Sequence, residues 1–242
     1  MPEIKPIAHI VSDYKTKFGI PRQSGLAPDL DAQIIFEPEF AVAEAVRGLE
    51  GFSHVWLIWQ FSENVTEEFS PTVRPPRLGG NTRMGVFAPR SPFRPNSLGL
   101  SCVRLRGIEQ RDGVGPVLTV SGADLMDGTP IFDIKPYVPY ADCIPDAREG
   151  FATAPADALA VEIPPEMAKK IPAGKLAGIK EVLSCDPRPR YHTDPERVYG
   201  MDLGDLNIKF RVEVGTVTVT DVQTRRQDTR FSQHGPDGGS QS

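Results

Sequence analysis

The sequence has few cysteines and none of the common cofactor-binding motifs. Its 242 residues include three cysteines, at positions 102, 143 and 185, and no Cys-x-x-Cys pair. A zinc ribbon and a thioredoxin-type redox site are therefore excluded, and so small a number of thiols is typical of a reducing compartment. The sequence also lacks G-x-S-x-G, a P-loop and the dinucleotide-binding G-x-G-x-x-G, which argues against the usual hydrolase, NTPase and dinucleotide-binding classes.

Long apolar runs are missing as well. The longest largely apolar stretch, residues 55–61, has the length of one strand, and the N-terminus carries no apolar signal segment. No membrane span or secretion signal is predicted, so we expect a cytoplasmic protein that does not enter a membrane. The histidines show no metal-ligand spacing, and we expect no metal site.

Acidic residues are absent from one segment of forty residues. The whole chain has 27 Lys+Arg against 32 Asp+Glu, a formal charge of −5, which excludes a strongly basic nucleic-acid coat. Residues 69–108 nevertheless contain no Asp, Glu or Lys, and the seven basic residues there are Arg74, Arg77, Arg83, Arg90, Arg94, Arg104 and Arg106. Guanidinium groups bind phosphates in a bidentate manner and stack on bases. The segment therefore favours a phosphate-bearing or RNA partner over the simpler alternative, an ordinary solvated face.

Glycine and proline are abundant, and they divide the chain into short elements. There are 22 Gly and 24 Pro, which favours many strands joined by turns over a helical bundle. Short apolar or alternating runs predict strands within residues 4–11, 33–36, 55–61, 84–88, 98–108, 117–121 and 131–134. A single helix is predicted over residues 39–47. This spacing indicates a closed or nearly closed antiparallel barrel.

Composition changes after residue 145. Residues 146–165 are rich in Ala and Pro and are expected to be a connector; a helix is predicted over 175–183. Residues 210–222 alternate as a long strand or hairpin, with Phe210, Val212 and Val214 on one face, and the polar stretch 224–242 is expected to be a disordered tail. The predicted fold is mainly β: an N-terminal antiparallel β-barrel over residues 1–145 and a small α+β C-terminal domain over 166–223.

Two segments present polar side chains on stiff backbone. In residues 90–101, two prolines flank Phe93 and Arg94, a pattern typical of a rigid ligand-binding loop, although a plain structural turn is the alternative. In residues 127–137, a turn at Asp127 precedes a strand that places Asp133 and Lys135 on one face. That pair is either a structural ion pair or a catalytic pair.

These segments, in the same order and with compatible spacing, resemble the TsaA/TrmO-type family of S-adenosylmethionine-dependent tRNA methyltransferases. The resemblance is carried by residues 14–23, 45–56, 74–81, 85–101 and 127–137 and by Asp-Pro-Arg-Pro at 186–189. It implies a β-barrel that binds S-adenosylmethionine, a C-terminal domain that helps to hold tRNA, and a homodimer. The implied reaction is N6-methylation of threonylcarbamoyladenosine immediately 3′ of the anticodon of threonine tRNA. The motif departs from the family at Pro89, where Thr is common, and at Ser97, where Pro is common.

The resemblance also assigns sites. The donor-binding positions it implies are Gln23, Ser24, Gly25, Ser62, Glu63, Arg90, Leu100, Asp127, Gly128, Thr129 and Pro130. For catalysis we expect Asp133 to accept or orient a proton beside Lys135, with Arg94 and Asn96 holding the acceptor base or its threonyl carboxylate.

Other side chains are candidates to contact the charged groups of the donor and of the RNA. Phe87, Phe93 and Asp127 are candidates to face a sulfonium. Arg74, Arg77 and Arg83 are expected to contact phosphates of the tRNA anticodon stem-loop. Two alternatives stay open: a non-catalytic RNA- or ligand-binding barrel, and a methyltransferase acting on a different small substrate.

Overall fold

The computed structural model describes residues 4–64, 68–152, 158–188 and 194–225. The expected tail lies outside these residues from position 226 onward. The strands are β1 (Ala8–Val11), β2 (Asp31–Phe36), β3 (His54–Gln60), β4 (Thr72–Val73), β5 (Met84–Gly85), β6 (Leu98–Arg111), β7 (Gly115–Ser121), β8 (Pro130–Pro136), β9 (Ala160–Glu162), β10 (Tyr199–Leu203), β11 (Leu206–Glu213) and β12 (Thr216–Thr224). The helices are α1 (Pro139–Asp142), α2 (Pro165–Ala168) and α3 (Ala173–Ser184).

The N-terminal half forms a closed antiparallel barrel with strand order β1-β2-β7-β6-β3-β8. Pairing of β1 with β8 closes it. Side chains alternate along β3, so that Val55, Leu57 and Trp59 are buried inside while the residues between them face outward. The barrel and the strands that build it confirm the fold predicted from the alternating pattern.

The C-terminal half is a four-stranded sheet of order β10-β11-β12-β9 covered by α2 and α3, which confirms the expected small α+β unit. α3 lies where a helix was predicted. β9 pairs in parallel with β12, so residues 160–162 of the expected connector belong to this sheet.

The two halves share packing and polar contacts. Tyr14, Ala27 and Leu30 from the barrel side belong to the C-terminal apolar core. Lys175 Nζ of α3 lies 2.8 Å from Asp13 Oδ1. The carboxylate of a second α3 residue, Glu181, accepts a hydrogen bond from the backbone of the loop that precedes β2. Helix α3 therefore contacts the segment that links β1 to β2 at two places, Asp13 and Asp29.

The helix predicted over residues 39–47 is wrong. The segment contains a 3₁₀ turn at Ala43–Val46, and a second turn follows at Leu49–Gly51. Val42 before the first turn is extended and offers no side-chain cap, and Arg47 is again extended. An uncapped segment this short does not repay the cost of nucleating an α-helix.

The predicted strand or hairpin at residues 210–222 is a hairpin, but the predicted face is partly wrong. Val214 and Gly215 both have positive φ, 41° and 78°, as a two-residue type I′ turn requires. The turn reverses the phase of the alternation. Val214 is therefore 97% exposed, whereas Val217 and Val219 join Phe210 in the core.

Candidate active site

Two segments implied to bind the methyl donor meet at one end of the barrel. The guanidinium of Arg90 donates a hydrogen bond to the side-chain amide oxygen of Gln23, which lies 67 residues earlier in the chain. Both side chains are exposed. The structure thus places together two donor-site residues that the sequence keeps far apart.

Behind this pair lies a carboxylate to which sequence reasoning assigned no role. Asp124 Oδ1 accepts a hydrogen bond from the Ser101 hydroxyl at 2.6 Å, and Ser101 Oγ accepts one from Trp59 Nε1 at 3.0 Å. The backbone of Ser24 also hydrogen-bonds the Asp124 carboxyl, and Arg90 stabilises its charge. The one signal in the sequence is the position of Asp124, three residues after the end of β7 and two after Gly122. That signal is weak by itself, because acids after strands are common.

Burial dominates the electrostatics of this carboxyl. Desolvation raises the pKa of Asp124, and the hydrogen bonds from Ser101 and Ser24, together with the charge of Arg90, offset only part of that effect. Asp124 is therefore a partly buried acid held among donors.

The loop after Gln23 is pinned through its backbone. Gly25 N–H donates to the Gly122 carbonyl at 2.8 Å, and Gly122 N–H donates to the Leu30 carbonyl at 3.2 Å. Both glycines have positive φ, and a Cβ on Gly122 would lie 3.1 Å from Gly25 Cα. A Cβ on Gly25 itself would meet nothing within 4 Å. One face of the loop is therefore packed and the other is open.

The turn at residues 127–130 is locked against the end of β1. Asp127 accepts a hydrogen bond from Ser12 N–H at 2.9 Å and an ion pair from Lys15 Nζ at 2.7 Å. Gly128 N–H donates to the Ile10 carbonyl at 2.8 Å, and Thr129 is buried. Asp127 therefore has a cationic partner and fixes backbone geometry.

The three remaining implied donor positions, Ser62, Glu63 and Leu100, are all exposed. Ser62 and Glu63 are exposed in a 3₁₀ turn that directly follows β3, and Lys17 Nζ donates to the Glu63 carbonyl at 2.9 Å. Leu100 lies on the outward face of β6 and is 57% exposed. Its neighbours along the strand, Gly99 and Ser101, are buried.

Asp133 and Lys135 lie on the outer wall of the barrel. They pair with Ile58 and Trp56, which face outward from β3. Lys135 Nζ lies 3.0 Å from Asp133 Oδ2 with both side chains substantially exposed. No described contact connects this ion pair to Asp124.

Leu100 shares that outer wall. It pairs with the same Ile58 that pairs with Asp133. Neighbouring strands are about 4.8 Å apart, so Leu100 and Asp133 are separated by about 10 Å across the sheet. One donor position and the expected proton acceptor thus occupy the same face.

Arg94 supports the loop that carries it. Its guanidinium donates to the carbonyls of Val86 and Pro89 at 3.3 and 2.9 Å, and lies 5.6 Å from the centroid of the Phe87 ring. Asn96 is exposed beside it. Ser97, where the family motif often has Pro, is buried with φ of 48°, a left-handed conformation that Pro cannot adopt.

Two of the three arginines expected to bind RNA emerge side by side. Val73 pairs with Met84 in the two-stranded β4–β5 ribbon, so Arg74 and Arg83 come next to each other immediately beyond it. Both are exposed. The side chain of Arg77 lies outside the described part of the chain. Two adjacent guanidinium groups repel each other and favour an anion between them.

Both halves of the chain match a protein-family model. Residues 9–143 match the tRNA-methyltransferase O N-terminal domain, and residues 156–225 match the C-terminal domain of the same family. The chain belongs to the tRNA-methyltransferase O family.

Individual members of the family are similar over most of their length. The chain is 43% identical to the tRNA (adenine(37)-N6)-methyltransferase of Escherichia coli (strain K12), over 87% of this chain and 93% of that one. It is 44% identical to the putative S-adenosylmethionine-dependent methyltransferase RcsF of Pseudomonas aeruginosa PAO1, over 86% and 91%. The crystal structure of TrmO from Pseudomonas aeruginosa superposes with a TM-score of 0.75 at 37% identity, covering 92% of this chain and 98% of that one.

Family membership makes S-adenosylmethionine the expected donor, and the residues present fit its chemistry. The donor carries a sulfonium and an ammonium, which suit carboxylates, and a carboxylate and hydroxyls, which suit a guanidinium and an amide. Arg90 and Gln23 supply the guanidinium and the amide, and they are hydrogen-bonded to each other. Gly25 and Gly128 border open space, where a Cβ would meet nothing within 4 Å.

The described residues bear on two further features, a metal-binding cluster and a membrane-spanning helix. Among the described residues, no group of three or more His, Cys, Asp or Glu side chains is arranged to hold a metal ion. Across those same ranges, no helix combines the length and apolarity needed to cross a membrane.

Proposed function

We propose that this chain methylates N6 of threonylcarbamoyladenosine, immediately 3′ of the anticodon of threonine tRNA, with S-adenosylmethionine as donor. Family membership supports a donor-dependent tRNA methyltransferase, and the Escherichia coli relative is named for N6 of adenine 37. The observation that carries the proposal is the cluster of Gln23, Ser24 and Arg90 around Asp124. Arg90 of this cluster belongs to residues 69–108, a segment whose only charges are arginines.

The chemistry is mainly a matter of positioning. The donor supplies a methyl group on a sulfonium, which is transferred to a nitrogen aligned about 3 Å away. The chain holds the donor through Gln23, the backbone at Ser24 and Gly25, and Arg90, with the turn at Asp127 closing the site. Leu100 offers apolar surface to the donor on the outer wall.

The acceptor nitrogen must lose a proton, and we assign to Asp133 the role of accepting or orienting that proton. Oδ1 of Asp133 accepts a hydrogen bond from the N–H of Ile134 at 2.9 Å, which fixes the carboxylate plane. Lys135 Nζ lies 3.0 Å from the other carboxylate oxygen, Oδ2. A positioned acid or base contributes about 10² to 10⁴ in rate.

The test of this role is Asp133→Ala. Turnover should fall by about 10²-fold or more, while donor affinity stays at the wild-type value. Glu37→Ala, which removes another half-exposed carboxylate from the barrel wall, serves as the matched control. Wild-type turnover in Asp133→Ala would remove Asp133 from the mechanism.

We place the acceptor base next to the 86–96 loop. Arg94 braces this loop through its contacts with Val86 and Pro89, and the exposed Asn96 can hydrogen-bond the base edge or the threonyl carboxylate. Phe87 and Phe93 are 69% and 48% exposed. Exposed aromatic rings among arginines suit stacking with unpaired bases as well as contact with a cation.

Arg74, Arg77 and Arg83 are proposed to bind the phosphates of the anticodon stem-loop. The Arg74→Ala/Arg83→Ala double variant should weaken tRNA binding and reduce the slope of log K against log[salt] by about 1 to 2. Arg47→Ala removes an exposed arginine that pairs with Glu44 and should leave the slope unchanged. An unchanged slope in the double variant would contradict the assignment.

The decisive experiment uses purified protein, labelled S-adenosylmethionine and threonine tRNA with or without the threonylcarbamoyl group. Mass spectrometry of the nucleosides should show one added methyl on the modified adenosine alone. Donor retention without methylation would favour the non-catalytic barrel. Methylation of a small molecule but no tRNA would favour a different substrate.

The assembly and location follow from the same proposal. The resemblance implies a homodimer, and the small number of cysteines favours a reducing compartment such as the cytoplasm. Light scattering of the purified chain measures the oligomeric state.

A further inference from the structure

Asp124 occupies a place that the assigned donor positions leave unexplained. It interacts with two of them, Ser24 and Arg90, yet it belongs to none of the motifs that carry the family resemblance. Its carboxyl is partly buried just after β7, among groups contributed by four separate segments of the chain.

On its inner side the carboxylate is anchored by the barrel core. Trp59 is 5% exposed and Ser101 is 1% exposed. The indole N–H of Trp59 donates to Ser101 Oγ at 3.0 Å, which leaves the Ser101 hydroxyl hydrogen directed at Asp124 Oδ1, 2.6 Å away. Trp59 itself is fixed because its ring packs onto Gly99, where a Cβ would lie 2.3 Å from the ring. This chain of donors defines where the carboxylate sits.

On its outer side the carboxylate faces the donor loop. The Ser24 backbone hydrogen-bonds to it, and Arg90 lies close enough to interact with its charge. Arg90 in turn holds Gln23. Gly25, two residues after Gln23, donates a hydrogen bond to Gly122, two residues before Asp124. The backbone and the side chains of the loop therefore both depend on contacts with Asp124 or with residues close to it in the chain.

We propose that Asp124 is a positioning residue for the methyl donor, which sets the Ser24 backbone and the Arg90 guanidinium from an anchor built by Ser101 and Trp59. The inference rests on the proposed donor site. If the inference holds, loss of the carboxylate displaces the donor loop. The binding of every ligand that contacts this loop is then weakened, whatever the charge of that ligand.

The first experiment compares Asp124→Asn with wild type by calorimetric titration of S-adenosylmethionine and of S-adenosylhomocysteine, the uncharged thioether product. Asn keeps the shape but replaces one accepting oxygen by an NH₂ group, which leaves one of the two donors unpaired. Both affinities should fall together by about 10- to 100-fold, the range for loss of one charge-assisted hydrogen bond. A fall for the sulfonium alone would overturn the positioning role in favour of direct charge contact.

Kinetics separate positioning from general damage. In Asp124→Asn the KM for the donor should rise by the same factor, while the KM for tRNA stays near wild type and the chain remains folded at the assay temperature. A parallel loss of tRNA affinity would overturn the inference in favour of a purely structural role. Asp221→Asn is the matched control, because Asp221 also accepts backbone and side-chain hydrogen bonds but lies on β12, and its donor affinity should be unchanged.

A double-mutant cycle tests the anchor. Ser101→Ala should reduce donor affinity in the wild-type background and add no more than about twofold in the Asp124→Ala background, because linked groups are not additive. Full additivity would contradict the link between Ser101 and Asp124. If the wild-type chain itself binds no donor, the proposed function fails; if it binds donor and Asp124→Asn binds equally well, only this inference fails.

Discussion

Gly178 on α3 provides a sharp test of how the C-terminal unit packs on the barrel. A glycine inside a helix usually costs about 0.5 to 1 kcal/mol relative to alanine, so Gly→Ala normally stabilises a helix. Gly178, however, faces the loop that precedes β2. A Cβ there would lie 2.4 Å from Leu30 Cγ, 2.5 Å from Leu30 Cδ2 and 3.3 Å from the carbonyl carbon of Asp29.

The close contacts should reverse the usual sign. Forcing an extra methyl into a packed contact costs about 1 to 3 kcal/mol, which outweighs the gain in helix propensity. Gly178→Ala should therefore lower the free energy of unfolding by up to about 2 kcal/mol. For a chain of this size each kcal/mol corresponds to about 2 to 4 °C in Tm.

The same helix provides the control. Gly174 is exposed, and a Cβ there would meet nothing within 4 Å. Gly174→Ala should keep or slightly raise the free energy of unfolding, measured by urea titration and thermal unfolding of both variants. If Gly178→Ala is as stable as Gly174→Ala, α3 does not rest on Leu30 and the contact between the two halves is wrong.

Three further predictions concern the barrel. Gly99→Ala places a Cβ 2.3 Å from the Trp59 ring and should weaken donor binding by calorimetry at least about tenfold, whereas Gly107→Ala on the same strand meets nothing and should bind normally. In timed iodoacetamide labelling read by mass spectrometry, the exposed Cys143 should react before Cys102, because burial raises the pKa of the Cys102 thiol; faster labelling of Cys102 would contradict this. Because burial raises the pKa of Asp124, the native state keeps that proton to higher pH than the unfolded chain. Its contribution to the free energy of unfolding should fall as pH rises from about 4 through the native pKa, and urea titrations of Asp124→Asn should lack that slope.

Local pattern was a good guide wherever one face of an element is buried. β3 and β7 followed from apolar runs bounded by turn residues, and α3 followed from the spacing of its apolar residues. The pattern failed at residues 39–47, where helical spacing exists without a cap or sufficient length. It also failed at Val214, because a two-residue turn changes the phase of alternation without changing the composition.

Some residues of the candidate site could be predicted from the sequence and others could not. Gln23, Arg90 and Asp127 could be named from the sequence, because they lie in motifs shared with a family. Asp124 could not, because its role comes from contacts with Ser101 and the Ser24 backbone across the barrel. The direction in which Asp133 points, outward from β8 beside Lys135, also came from strand pairing.

The sequence by itself determined the strand-rich class, the acid-free arginine segment and the family, because these depend on composition and on short motifs that each lie within one stretch of chain. Tertiary structure alone decided that Gln23 meets Arg90, that a buried tryptophan and serine hold Asp124 behind them, and that Leu100 and Asp133 share the outer wall. The physical reason is that these contacts join segments tens of residues apart. Their geometry is set by barrel closure and strand register, and no local pattern encodes either.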